Sequence, residues 1–196
     1  RLCSSAASDV YKRQAVGTFA MENNTTGGNN VAVGYQALDS NTTGGNNTAI
    51  GREALDFNTT ASNNTAVGYA AMNVNTTGTD NVAVGTTSLD ANTTGNNNTA
   101  LGKSALGSST TSSNNTGIGY FALLNNTTGA SNVAVGSSAL DASTTGSNNT
   151  SIGHESLTDL TTGSQNTAIG SNALANTTTA ANLSLIHISE PTRLTC

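Results

Sequence analysis

The chain has 196 residues, a formal net charge of −5, 9% charged and 4% aromatic residues, one proline and two cysteines. Between residues 15 and 182 only Arg52 and Lys103 are basic, against nine acids, which excludes the basic stripe that nucleic acid requires. No apolar run approaches the ~20 residues that span a bilayer as a helix, and the absence of cysteine from 15–182 neither requires nor excludes an oxidising compartment.

In chain order, residues 1–14 (RLCSSAASDVYKRQ) carry no pattern. A glycine then recurs every 17 residues, ten times: Gly17, Gly34, Gly51, Gly68, Gly85, Gly102, Gly119, Gly136, Gly153 and Gly170. Four residues ahead of a repeat glycine stands an asparagine: Asn30, Asn47, Asn64, Asn81, Asn98, Asn115, Asn132, Asn149 and Asn166. Val, Ile or Leu sits just before each glycine, Leu or Met four residues after it, and Thr-Thr eight and nine residues after it. The positions that directly follow the glycine vary freely, as Tyr35, Arg52, Thr86, Lys103 and His154 show. Positions fixed within one chain's repeats report what stacking demands, and free positions report what points away. A strict period of this size marks a solenoid whose units cannot bury their apolar faces alone. High Asn, Thr, Gly and Ser content also suits disorder, but a disordered tract has no need to keep an aliphatic in register.

Each unit reads as one coil. The N-T-A-V-G segment is short, β-branched and bounded by Asn and Gly, so it predicts a strand, with Val/Ile and the preceding Thr/Val on one face and Asn and Ala on the other. The A-L-x-x-N-T-T leg predicts a second short strand, or a helical turn followed by one. G-x-x-N predicts a turn at which Gly or Asn accepts positive φ. The expected fold is all-β: a β-solenoid or parallel β-roll of ten 17-residue coils, stacked about 4.8 Å apart into a rod about 48 Å long. Asn side chains in register are expected to form amide ladders. Two large aliphatics per coil make a thin core, and oligomerisation is one remedy for a thin core.

The pattern ends at residue 183, where Leu replaces the expected Asn, and 183–196 (LSLIHISEPTRLTC) is again unpatterned. Both terminal strings resemble translated sequencing-adapter DNA and are expected to be extraneous to the array at 15–182. The alternative is a genuine cap at each end. On the first reading, targeting and anchoring segments belong to a longer protein.

NVAVG, NTAIG, NTAVG, NTALG and NTSIG resemble the N-[ST]-[VT]-A-[IV]-G core of the head repeats of YadA-like trimeric autotransporter adhesins. The longer NTAVGYQALxxNTTGxx form is similar to arrays in phage tail fibres and in bacterial surface proteins that end in a self-cleaving intramolecular chaperone. The resemblance covers 15–182 and implies a trimeric, left-handed parallel β-roll serving as a surface or fibre head. The adhesin repeat is usually a few residues shorter, and here the additional residues fall in the A-L-x-x-N-T-T-G leg.

No acid, base and nucleophile stand out from the repeat, so no enzyme, cofactor or metal site is expected. His154 sits at a variable position. Asp39, Asp56, Asp90 and Asp141 share one register, but Asn73, Gly107 and Leu124 interrupt it, whereas calcium repeats supply several oxygen ligands per unit. N-x-T sequons such as Asn41-Thr42-Thr43 suit turn chemistry. The leading functional expectation is an adhesion head or fibre segment on a cell or virion surface. It would be a homotrimer, extracellular or at the outer membrane, with no nucleic acid partner and no membrane insertion by this segment. Its ligand would be a host matrix protein or glycan, met by the candidate contacts Phe19, Tyr35, Tyr69, Tyr120 and Phe121, whose bland reading is ordinary surface variation. The alternatives are an ice-binding solenoid using the Thr-Thr column, and a passive spacer or amyloid-like fibre.

Overall fold

The segment ahead of each repeat glycine forms a strand, as its β-branched composition requires. In the computed structural model the described residues are 13–187. The terminal strings at 1–12 and 188–196 lie outside them. Eleven strands follow in chain order: β1 (Arg13–Val16), β2 (Asn30–Val33), β3 (Thr48–Ile50), β4 (Thr65–Val67), β5 (Val82–Val84), β6 (Thr99–Leu101), β7 (Thr116–Ile118), β8 (Val133–Val135), β9 (Thr150–Ile152), β10 (Thr167–Ile169) and β11 (Ser184–Ile186). They make one parallel sheet in which each strand pairs with the next, 17 residues on, as Val82 with Thr99. The protein is an all-β solenoid of ten turns, with no helix among the described residues. The ladder takes in Arg13, Gln14 and Ser184–Ile186, beyond the bounds expected for the array.

Numbering each coil from its glycine as position 1, the strand alternates as expected. Asn at 14 and Ala at 16 point inward, with Asn81, Ala83, Asn98 and Ala100 fully buried. Thr or Val at 15 and the aliphatic at 17 point outward. The core therefore holds one large aliphatic in most coils, not the two expected: the Leu or Met at 5, from Met21 to Leu157, is buried with Ala at 4 and 16, and only Leu160 adds a second. Val16, Val33, Ile50, Leu101 and Ile152 lie on the outer surface instead.

The second leg contains no strand and no helical turn. Positions 3 and 5 both take left-handed backbone, as Gln36 (φ 53°) and Leu38 (φ 55°) do, and this recurs in all ten coils. Alternating signs of φ curl the chain too tightly for either regular structure. The leg still bonds its neighbours: the Leu38 N–H donates to Ala54 O (2.9 Å) and the Gln36 N–H to Thr18 O (3.0 Å). In the G-x-x-N turn, positive φ falls at position 13, mostly Asn, and at neither the glycine nor the ladder asparagine. Asn tolerates that region because its short side chain bonds locally.

The position 1 glycine is required twice over. Gly85 has φ +137°, and a Cβ there would lie 2.5 Å from Gly102 O. Gly85→Ala is therefore expected to cost several kcal/mol through strain and forced separation of two coils, read as a large drop in the urea midpoint. Thr87, a β-branched residue at φ 50°, is the opposite case. Left-handed backbone costs most L-residues about 1–2 kcal/mol and Asn less, so Thr87→Asn should raise the unfolding midpoint, and an unchanged or lower midpoint would contradict the assigned backbone.

Candidate functional surfaces

Interior columns come first, because they fix what is left outside. The Asn30 Oδ1 accepts from the Asn47 N–H (2.8 Å), while its Nδ2 donates to Gly44 O (2.8 Å). The same pair of bonds recurs up the rod to Asn166, whose Oδ1 accepts from the Leu183 N–H (3.0 Å). All nine expected ladder asparagines are thus joined, each to backbone of the following coil. A second buried ladder runs at position 8: Asn41 donates to Asn24, Asn58 to Asn41, Asn75 to Asn58 and Asn92 to Asn75, at 2.8–3.0 Å. This column includes Asn41, the acceptor residue of the Asn41-Thr42-Thr43 sequon, which is fully buried. Position 9 threonines donate their hydroxyls to the next coil's carbonyl, as Thr76 does to Thr93 O (2.9 Å).

Four columns face outward. The first is the aliphatic column at 17, with Val16 64% and Leu101 46% exposed. Thr or Val at 15 stands beside it on the same strand face, and neither column contains a charged residue from β2 to β10. The sequence showed both columns but not which face was inward. The clue lay in the neighbours: an asparagine repeated through nine successive coils needs a buried, fully bonded place more than a valine needs burial.

The second column, at positions 2 and 3, gathers the candidate contacts into two groups. Phe19 meets Tyr35 edge to face at 5.8 Å, and the Arg52 guanidinium sits between Tyr35 (5.8 Å) and Tyr69 (5.7 Å) while pairing with Glu53 (2.8 Å). Farther along, Tyr120 stacks on Phe121 at 3.8 Å, with the Lys103 ammonium 5.9 Å from the Tyr120 ring. Phe19, Tyr35, Tyr69 and Tyr120 are exposed and Phe121 is half-buried. Both bases of the array thus lie against tyrosine rings, a pairing visible in the sequence once the 17-residue register is applied. His154, in the same register, is exposed with Nε2 3.7 Å from Glu155 Oε1.

The third column is acidic and recedes from the surface: Glu22, exposed, Asp39, half-buried, and Asp56, buried, occupy position 6 of three successive coils. Burial, then the charges of Asp39 and Glu53, push the Asp56 carboxyl up to about 6. Burial and Glu22 raise Asp39, against hydrogen bonds from Gln36 and the Glu22 backbone. Burial also raises Asp90. Asp141 accepts from the Thr158 hydroxyl (2.7 Å). Among the described residues no three His, Cys, Asp or Glu side chains cluster closely enough to hold a metal ion. The fourth column is the threonine at position 10, exposed in every coil.

No helix among the described residues is long and apolar enough to cross a membrane. No family model matches this chain, and neither a curated protein nor a solved structure matches it.

The Asp56 environment sets a pH dependence. Its folded pKa lies above the value of 3.8 it has in an open chain. The folded state therefore binds a proton before the unfolded state does, and stability rises as pH falls through about 6 toward about 4. The urea midpoint should be higher at about pH 5 than at about pH 7, and Asp56→Asn should flatten that slope and stabilise the protein at neutral pH. A midpoint unchanged between those two pH values would remove the effect.

Proposed function

We propose that the chain is a rigid segment of a surface or fibre head that assembles with copies of itself, as a trimer, along the outward face of its sheet. The carrying observation is the aliphatic column at position 17, uncharged along the whole rod, with Val33, Ile50, Leu101 and Ile152 exposed and Val67, Val84, Ile118, Val135 and Ile169 half-buried on the same outer face. Continuous exposed apolar surface on a soluble protein marks an interaction site. A second copy matches this column without further design, because both present one aliphatic per coil at the same pitch of about 4.8 Å. Closing the face supplies the burial that one core leucine per coil does not, each aliphatic being worth up to about 1.5–3 kcal/mol when fully buried.

A rod of this kind suits adhesion by repeated contact, since many weak sites on one rigid body act at high effective concentration. The Tyr35–Arg52–Tyr69 and Lys103–Tyr120–Phe121 groups are the candidate contacts toward a matrix protein or glycan. The reading places the protein outside the cell or on a virion. No catalytic role is part of it.

Light scattering after size exclusion tests the assembly. The expected mass is three times that of the 19.5 kDa chain. Val67→Lys with Val84→Lys, both outward at position 17, should give a folded monomer. A folded wild-type monomer, or a trimer indifferent to these lysines, would overturn the proposed interface.

A further inference from the structure

One column is invariant without serving the coil. Most positions fixed in every repeat have an internal reason: glycine 1 for space and φ, leucine or methionine 5 for the core, threonine 9 for its bond to the next carbonyl. Threonine 10 is present in all ten coils, from Thr26 to Thr179, and exposed in each. Its backbone is pinned, as the Thr77 N–H is to Thr93 O (3.1 Å). Its hydroxyl makes no hydrogen bond among the described residues, unlike that of its neighbour, Thr76. Repeat copying does not account for this, because other outward positions have drifted: position 2 runs through Thr, Tyr, Arg, Lys, Ser and His.

We infer that the threonine column is a binding surface for ice. An invariant outward residue in every coil calls for a ligand that is itself periodic and at least as long as the rod. The column offers one methyl and one free hydroxyl per coil, about 4.8 Å apart, on backbone hydrogen-bonded to the next coil. It contains no charge, no aromatic platform and no planar amide, so it lacks the usual means of gripping a sugar ring. A lattice of ordered water needs only what is present: hydroxyls that join its hydrogen bonds and methyls that its cages enclose. Position 13 is exposed too, but Asp80, Ser131 and Gln165 interrupt its asparagines, so it presents no uniform neutral column. The threonine column is distinct from the aliphatic column assigned to self-association, so either assignment can fail alone.

The test is thermal hysteresis and partition into growing ice, measured on the purified chain in its native assembly. The wild type should shape ice crystals and show a hysteresis gap. Thr77→Tyr with Thr94→Tyr should abolish the gap while circular dichroism and the unfolding midpoint stay unchanged. Should that variant fail to fold, Thr94→Ser, which keeps the hydroxyl and removes the methyl, should lower the gap at matched concentration. Thr86→Lys, in the drifting column at position 2, should leave it intact. A folded wild type without hysteresis would overturn the inference, as would a gap insensitive to Thr77 and Thr94. Binding to an insoluble neutral polysaccharide without ice activity would also overturn it and assign the column to glycan.

Discussion

Everything in this fold rests on the asparagine at position 14 reaching into the next coil. A coil of this chain has almost no structure of its own. Within a coil the backbone closes only isolated turns, such as the Ala37 N–H to Gly34 O at 3.4 Å, while most of its hydrogen bonds go to the coil before or after. The Asn side chain supplies what regular backbone pairing cannot at a corner. Its carbonyl takes one buried N–H and its amide satisfies one buried C=O, as Asn64 does with the Asn81 N–H and Gly78 O. A buried polar group without a partner costs about 1–3 kcal/mol, so each asparagine removes two such costs and fixes the register in doing so. A slip of one residue toward the glycine would place Thr or Val where the amide makes its two bonds.

That register then dictates the rest. Three non-glycine residues per coil are held in left-handed backbone, a conformation few L-residues choose freely. Stacking sustains it, because each strained turn hydrogen-bonds to a neighbour strained in the same way. The position 8 ladder shows how far this redundancy extends. It is continuous from Asn24 to Asn92 and then breaks: Ser109 pairs with Ser112, Leu160 replaces the amide with an apolar side chain, and Asn126 Oδ1 and Ser143 Oγ are buried without a partner in the chain. Yet strand pairing continues unchanged through these coils. The position 8 column contributes, whereas the position 14 column has no substitute until Leu183.

Much of this was legible from the residues alone. The period, the single strand at N-T-A-V, the amide ladder and the all-β solenoid all follow from spacing and residue type. Two points were not. Valine before glycine looks like core, and only the competing demand of a buried asparagine on the same strand turns it outward. The A-L-x-x-N-T-T leg looks regular because Ala and Leu suit helices and Thr suits strands, but propensity does not register a hydrogen-bonded partner that enforces positive φ at Leu38 or Leu55. The candidate aromatics Phe19, Tyr35, Tyr69 and Tyr120 are exposed and Phe121 is half-buried. Their association with Arg52 and Lys103 is a product of register, invisible until residues 17 apart are read as neighbours.

Invariance inside one chain therefore separates into two kinds. Glycine 1, alanine 16, leucine or methionine 5 and asparagine 14 recur, nearly or wholly without exception, because each touches its own copy one coil away, and such contacts explain themselves. The aliphatic at 17 and the threonine at 10 also recur, yet Leu101 and Ile152 stay more than a third exposed and Thr94 makes no side-chain bond. Cross-strand contact between β-branched neighbours favours Val or Ile on a pleated surface by a few tenths of a kcal/mol. That preference tolerates exchange, as position 15 shows by alternating Thr with Val. It does not account for a column that never exchanges an aliphatic for a polar residue, or a threonine for a serine. Contacts within the coil do not supply that constancy, which is why the first column carries the proposed self-association and the second the proposed periodic ligand.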